Sequence, residues 1–243
     1  MKRIPEPEIM DITDEVAAYA QADFSEVNTA FVNRLLELAG ALGSPIALDL
    51  GSGPGDIPLR LARARPRWRV IGSDYSWPML ATARANSGAT QIPWLGADAK
   101  ALPLPDAVIG IVFSNSILHH IPDPMPFWCE VRRILAPGGW VFLRDLARPE
   151  SPERAAEIVQ IYAGHESALL QGEYYRSLLA AFTVNEVREQ IASAGLDGLC
   201  VAMASDRHLD VWGTPVAAQQ PSGLNADNAD MQTNKRGKPC EFS

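Results

Sequence analysis

An apolar stretch that stops abruptly in three alternating glycines, Ala47-Leu48-Asp49-Leu50-Gly51-Ser52-Gly53-Pro54-Gly55-Asp56, fixes more about this chain's architecture than any other segment. It reads as a strand, a tight loop and the start of a helix. Glycine admits positive φ and lets a ligand lie directly on the main chain, while the first N–H groups of a helix have no intrahelical partner. A planar or anionic group is the expected occupant. The Gly-x-Gly-x-Gly spacing differs from the Gly-x-Gly-x-x-Gly dinucleotide fingerprint and from phosphate loops that close in Lys-Ser/Thr.

Downstream, short β-rich runs alternate with helical stretches. Strands are expected over Ile46–Leu50, 68–73, 92–96, 108–114 and 140–146, and helices over 56–65, 76–86 and 124–135. Such alternation requires right-handed crossovers and gives a Rossmann-like, doubly wound α/β sheet with helices on both faces. After Arg148 the rhythm changes. The stretches 153–170 and 173–181 read as helices, and Thr183-Val184-Asn185-Glu186 as a capping box opening a further helix that Gly195 ends. Residues 199–204 and 208–212 then read as a hairpin at the sheet edge. Ahead of the sheet, Val16, Tyr19, Ala20, Phe24, Val27, Phe31, Leu35, Leu38 and Leu42 recur at helical intervals. The expected organisation is a helical lid over 1–44, a ligand-binding domain over 45–212 with a helical insertion at 151–182, and a polar, disordered tail over 213–243.

With 243 residues and 47% hydrophobic content, the chain has material for one sizeable core. Its formal net charge of −8 argues against nucleic acid as a partner, because phosphate neutralisation needs a basic face. Arg60, Arg63, Arg65, Arg67 and Arg69 read as a solvated helix face and its exit. Cys129, Cys200 and Cys240 stand far apart with no Cys-x-x-Cys or Cys/His spacing, so no metal site is expected. Residues 1–10 are charged and proline-broken, and no run reaches the roughly 18 apolar residues of a membrane span. Neither membrane insertion nor export is expected; a cytoplasmic setting fits, and a homodimer is left open.

In an open α/β sheet, ligands bind beyond the carboxyl ends of the strands where strand order reverses. Strand one ends in the glycine loop, whose N–H groups suit the amino-acid part of a ligand. The second ends at Asp74, spaced so that its carboxylate can bond both hydroxyls of a ribose, with Tyr75 as a flat surface behind it. The third ends in Gly96-Ala97-Asp98-Ala99, where an acceptor can take the exocyclic amine of an adenine. The fourth ends in Ser114-Asn115-Ser116-Ile117-Leu118-His119-His120-Ile121-Pro122-Asp123-Pro124, facing the reacting end. Together these ends describe an adenosine carrying an amino-acid tail.

Five segments carry a family resemblance: Leu48-Asp49-Leu50-Gly51-Ser52-Gly53-Pro54-Gly55, Val70-Ile71-Gly72-Ser73-Asp74-Tyr75-Ser76, Gly96-Ala97-Asp98-Ala99, Phe113-Ser114-Asn115-Ser116-Ile117-Leu118-His119-His120-Ile121, and Arg132-Arg133-Ile134-Leu135-Ala136-Pro137-Gly138-Gly139. In this order and spacing the chain resembles the class I S-adenosylmethionine-dependent methyltransferases, in the branch of ubiquinone/menaquinone-biosynthesis-like enzymes. The resemblance implies a seven-stranded sheet, mostly parallel, with an antiparallel strand in the C-terminal edge hairpin. It implies S-adenosyl-L-methionine as cofactor and S-adenosyl-L-homocysteine as product. Asp49, Gly51, Ser52, Gly53 and Gly55 would hold the methionine moiety, Asp74 the ribose, and Asp98 with Ala99 the adenine. Tyr75, Met79 and Asn115 complete the implied cofactor-binding set. A competing reading makes Asp74 the cap of the helix near Ser76, and Asp98 the cap of a helix over 99–102.

Methyl transfer from a sulfonium is an in-line displacement, so the protein's task is alignment and no covalent residue is needed. An acceptor that must lose a proton requires a base, for which His119 and His120 are candidates; the competing reading is that they order their loop. The insertion offers His165, Tyr174, Tyr175 and Arg176 on the substrate side, although the two tyrosines equally suit packing between its helices. A small-molecule acceptor is expected. Two alternatives stand beside this reading: a nicotinamide-dependent oxidoreductase, which the glycine spacing disfavours, and a non-catalytic S-adenosylmethionine-binding protein.

Overall fold

The computed structural model describes residues 1–6, 24–39, 42–43 and 45–216. Among them are seven strands: β1 (Ile46–Leu50), β2 (Arg69–Asp74), β3 (Trp94–Gly96), β4 (Ile109–Asn115), β5 (Leu135–Leu146), β6 (Cys200–Met203) and β7 (His208–Gly213). They form one sheet in the order β3-β2-β1-β4-β5-β7-β6. β7 alone runs against its neighbours, β5 on one side and β6 on the other. The expected hairpin is therefore present, with its first strand outermost and its reversed strand one place in. Strand order reverses between β1 and β4, which opens a crevice at their carboxyl ends.

Among the described residues seven α-helices accompany the sheet: α1 (Ser25–Ala39), α2 (Asp56–Ala64), α3 (Trp77–Asn86), α4 (Met125–Ile134), α5 (Pro152–Ala163), α6 (Ala168–Ala180) and α7 (Val184–Ser193). Strands buried on both faces read as continuous apolar runs, and alternate residues of each go to opposite cores. Leu48, Val112, Val141 and Leu143 meet Phe127, Trp128 and Val131 of α4 and Val187 and Ile191 of α7. Ala47, Ile111, Phe113 and Phe142 meet Phe31, Val32 and Leu35 of α1 and Leu61 of α2. A third cluster joins α5 to α6 through Ala155, Ile158 and Leu178.

Several boundaries differ from the sequence reading. α1 is a layer of the core, with Phe31 and Leu35 fully enclosed; residues 7–23 of the expected lid lie outside the described residues. The helix expected over 153–170 breaks after Ala163, because Ser167 starts a new one by accepting the Leu170 N–H on its hydroxyl. β5 begins at Leu135, ahead of the turn glycines, and its register against β4 shifts between Ile109 and Ile111. Packing continues past 212, since Val216 N donates to the Asp197 carbonyl at 2.6 Å. The tail beyond Val216 lies outside the described residues. The capping box at Thr183 and Glu186 forms with both reciprocal bonds.

Candidate active site

The glycine loop turns on three left-handed residues, Gly51 (φ 74°), Gly53 (φ 52°) and Gly55 (φ 88°). Positive φ at alternate positions is what a side chain resists. The fold of the loop is fixed by Ser52 N donating to Ser73 O at 2.8 Å and Gly55 N to Ser52 O at 3.0 Å. The glycines serve different ends. A Cβ on Gly55 would stand 2.5 Å from the Trp94 ring and 2.9 Å from Ala83, so this residue permits α2, α3 and β3 to close up. A Cβ on Gly53 would meet nothing within 4 Å, so its backbone faces an open cradle.

Asp74 ends β2 directly across that loop. Its Oδ2 accepts the Gly53 N–H at 2.7 Å and its Oδ1 the Ser76 N–H at 2.8 Å. Burial raises its pKa, against the pull of these N–H groups and of nearby His120. A carboxylate has about four lone-pair sites, so both oxygens keep acceptor capacity for vicinal hydroxyls. The cap of α3 is Ser76, whose hydroxyl accepts from Met79 N.

Asp49, on the neighbouring strand, is a buried carboxyl, 2% exposed to solvent. Burial, reinforced by the Asp74 charge, holds its carboxyl well above the usual carboxylate range. No hydrogen bond from the described residues offsets that cost. The buried Ser52 hydroxyl likewise has no hydrogen-bond partner among them. Two crowded carboxylates beside an open glycine loop favour a cationic ligand, and a sulfonium nucleoside with an α-ammonium group fits that demand. Asp49 and the loop 51–55 would hold its amino-acid end, and Asp74 its ribose.

The adenine end continues along the same edge. Ala97 N donates to Asp74 O at 3.0 Å, which brings 96–99 against β2. Asp98 shapes its own turn, accepting Lys100 N at 2.8 Å and pairing with Lys100 Nζ at 3.0 Å. Ala99 lies half-buried within it. Tyr75 and Trp77 are exposed, and the Trp77 ring covers Gly96, where a Cβ would come within 2.9 Å of it. Trp77 was not singled out in the sequence; a large aromatic opening the helix after the ribose carboxylate was the available signal. Met79 is buried on the inner side of α3.

At the reacting end, Asn115 closes β4 half-buried, and Ser116 turns the chain with φ 65°. Ile117 then packs on Gly51, and Leu118–His120 form a single 3-10 turn. His119 is fully enclosed, its Nδ1 2.6 Å from Asp145 Oδ1. Burial disfavours its charge, but Asp145 outweighs this and raises its pKa. Burial and the charge of His119 lower that of His120. Both histidines meet Glu6, which residues 1–6 bring in from the start of the chain. Glu6 also accepts from Ser177 of α6, so the insertion borders the histidine turn.

The substrate-side candidates do not converge on this edge. Tyr174 and Tyr175 pack against the α5–α6 cluster, with burial pushing the Tyr174 hydroxyl up to about 12. His165 is 76% exposed and pairs with Glu166, while Arg176 pairs with Glu173.

Residues 48–143 match the family model described as "Methyltransferase domain". The chain is 35% identical over 111 residues to the ubiquinone/menaquinone biosynthesis C-methyltransferase UbiE of Desulfotalea psychrophila. That alignment covers 46% of this chain and 45% of the relative, so the chain spans under half the length of that protein. Over residues 48–143 the chain carries a methyltransferase domain. An uncharacterized methyltransferase of Mycobacterium bovis matches at 28% over 187 residues, covering 75% of this chain and 93% of the relative. The fold agrees with a SAM-dependent methyltransferase from Aquifex aeolicus at TM-score 0.62 and 17% identity, covering 84% of this chain and 98% of that one. Among the described residues no helix is long and apolar enough to cross a membrane.

Proposed function

We propose that this chain transfers a methyl group from S-adenosylmethionine to a small-molecule acceptor that approaches past the Leu118–His120 turn, in a cytoplasmic setting. The observation that carries the reading is the buried Asp49 carboxylate beside the open Gly53 backbone and the doubly anchored Asp74. The bound cofactor supplies an activated methyl group on a positively charged sulfur. The chain's residues supply position: Asp74, held by two backbone N–H groups, orients the nucleoside, and the loop 51–55 sets the depth of its amino-acid end. His120, whose pKa burial and the charge of His119 lower, is the candidate to take a proton from an acceptor hydroxyl or ring carbon. The name of the Desulfotalea relative, a C-methyltransferase of quinone biosynthesis, supports an acceptor of the phenolic or enolic kind. The test is calorimetric titration with S-adenosylmethionine, followed by a mass-spectrometric acceptor screen for a protein-dependent 14-dalton gain. Binding plus transfer supports the reading; tight binding without transfer across quinol-like, amine and thiol acceptors would make the protein a cofactor-holding one instead.

A further inference from the structure

Residues 1–6 form a strap tied to the body of the fold at several points. The Arg3 guanidinium donates to the carbonyls of Ala180, Pro122, His119 and Ile121 at 2.5 to 3.0 Å and lies 3.8 Å over the Phe182 ring. Ile4 N adds a bond to Leu179 O at 3.0 Å. The effect is to place the Glu6 side chain, only 7% exposed, between two imidazoles. Its Oε1 is 2.8 Å from His120 Nδ1 and 3.7 Å from His119 Nε2. One donor atom from each of the three residues lies within 4.8 Å of the others.

We propose that Glu6, His119 and His120 form a site for a divalent cation of the zinc kind. The orientation of His119 argues for it. Its Nδ1 faces Asp145 Oδ1 at 2.6 Å, and that carboxylate is itself fixed by the N–H groups of Leu118 and Leu146. With Nδ1 bonded to Asp145, Nε2 is the nitrogen turned to Glu6, 3.7 Å away, and a cation there would take the place of a proton between them. A carboxylate behind a ligating imidazole is the arrangement that sets tautomer and direction at metal centres. Glu6 and Asp145 bring two carboxylates to the pair of imidazoles, with Arg3 the neighbouring cation. Arg3 spends its donors on backbone carbonyls and competes for none of the three ligand atoms. Two nitrogens and one carboxylate leave an open coordination position. If the methyltransferase reading holds, that position would polarise an acceptor oxygen; the binding of metal itself does not depend on that reading.

The test uses the full chain, stripped with chelator and free of cofactor. Calorimetric titration with Zn²⁺ alone is expected to show one saturable equivalent, weakened at least tenfold in Glu6→Gln and in His120→Gln and unchanged in His165→Gln. Titration with Co²⁺ is expected to give visible absorption that Glu6→Gln abolishes, while circular dichroism confirms that the variant folds. Absence of saturable binding, or equal affinity in Glu6→Gln, would show that the three groups share only a proton. S-adenosylmethionine enters neither titration, so either result leaves the methyltransferase reading to its own test.

Discussion

Asp49 keeps its proton in the ligand-free protein beyond the pH at which an exposed carboxyl loses it. Its pKa is raised by burial and by Asp74, so the folded chain keeps a proton that the unfolded chain releases above its ordinary value of about 3.9. That shift removes folding stability as pH rises through this interval. Asp49→Asn should therefore raise the melting temperature of the free protein by about 2–4 °C while weakening S-adenosylmethionine binding about tenfold or more. Thermal denaturation and calorimetry on the same sample check both halves; a less stable variant with unchanged affinity would sink the assignment. A cationic ligand favours the carboxylate, so cofactor affinity should climb as pH rises from about 4 and level off once Asp49 is ionised. Calorimetry across that range, showing flat affinity, would count against it. The glycines separate in the same way. Gly55→Ala meets Trp94 and Ala83 and should cost about 2–4 kcal/mol of stability. Gly53→Ala finds open space and should cost about 1 kcal/mol for its backbone, losing cofactor affinity out of proportion to that.

Helices and strands carry the same logic to longer segments. Thr183 and Glu186 close the start of α7 with reciprocal bonds, and Glu186 also pairs with Arg148. Thr183→Ala should lower stability by about 1 kcal/mol without changing cofactor affinity, measured by urea unfolding and by titration; a loss of binding would mean that α7 belongs to the site. This capping box was legible because both partners lie within one helical turn. So were the glycine loop, Asp74 and the strand rhythm, whose signals are local in sequence. The break between α5 and α6 was not, because Ser167 competes there with a helical pattern that runs on through His165 and Glu166. Glu6 was invisible for a stronger reason: it meets His119 and His120 more than a hundred residues away, through a strap with no periodicity to read. The burial of Tyr174 and Tyr175 among α5 and α6 follows the packing alternative that their sequence already allowed.

The sheet acts as a frame that brings the proposed cofactor-side groups to the carboxyl edge of its strands. Asp49, the loop 51–55, Asp74, 96–99 and Asn115 come from four strand ends, and bonds such as Gly53 to Asp74 and Ala97 to Asp74 tie the ends of β1, β2 and β3 to one another. Binding that reaches across four strand ends couples to global stability. At a cofactor concentration of about 100 times Kd, stabilisation of about 2.7 kcal/mol is expected, or about 5–10 °C in melting temperature for a chain of this size. Differential scanning fluorimetry reads this shift; NAD should give none, and an equal shift with NAD would favour the oxidoreductase alternative. The most direct measurement is a crystal structure with S-adenosylhomocysteine. The account predicts its ribose hydroxyls on Asp74, its α-ammonium group toward Asp49 and its adenine between Trp77 and Asp98. Ligand density in any other hollow, or a nucleoside turned away from Asp74, would contradict it.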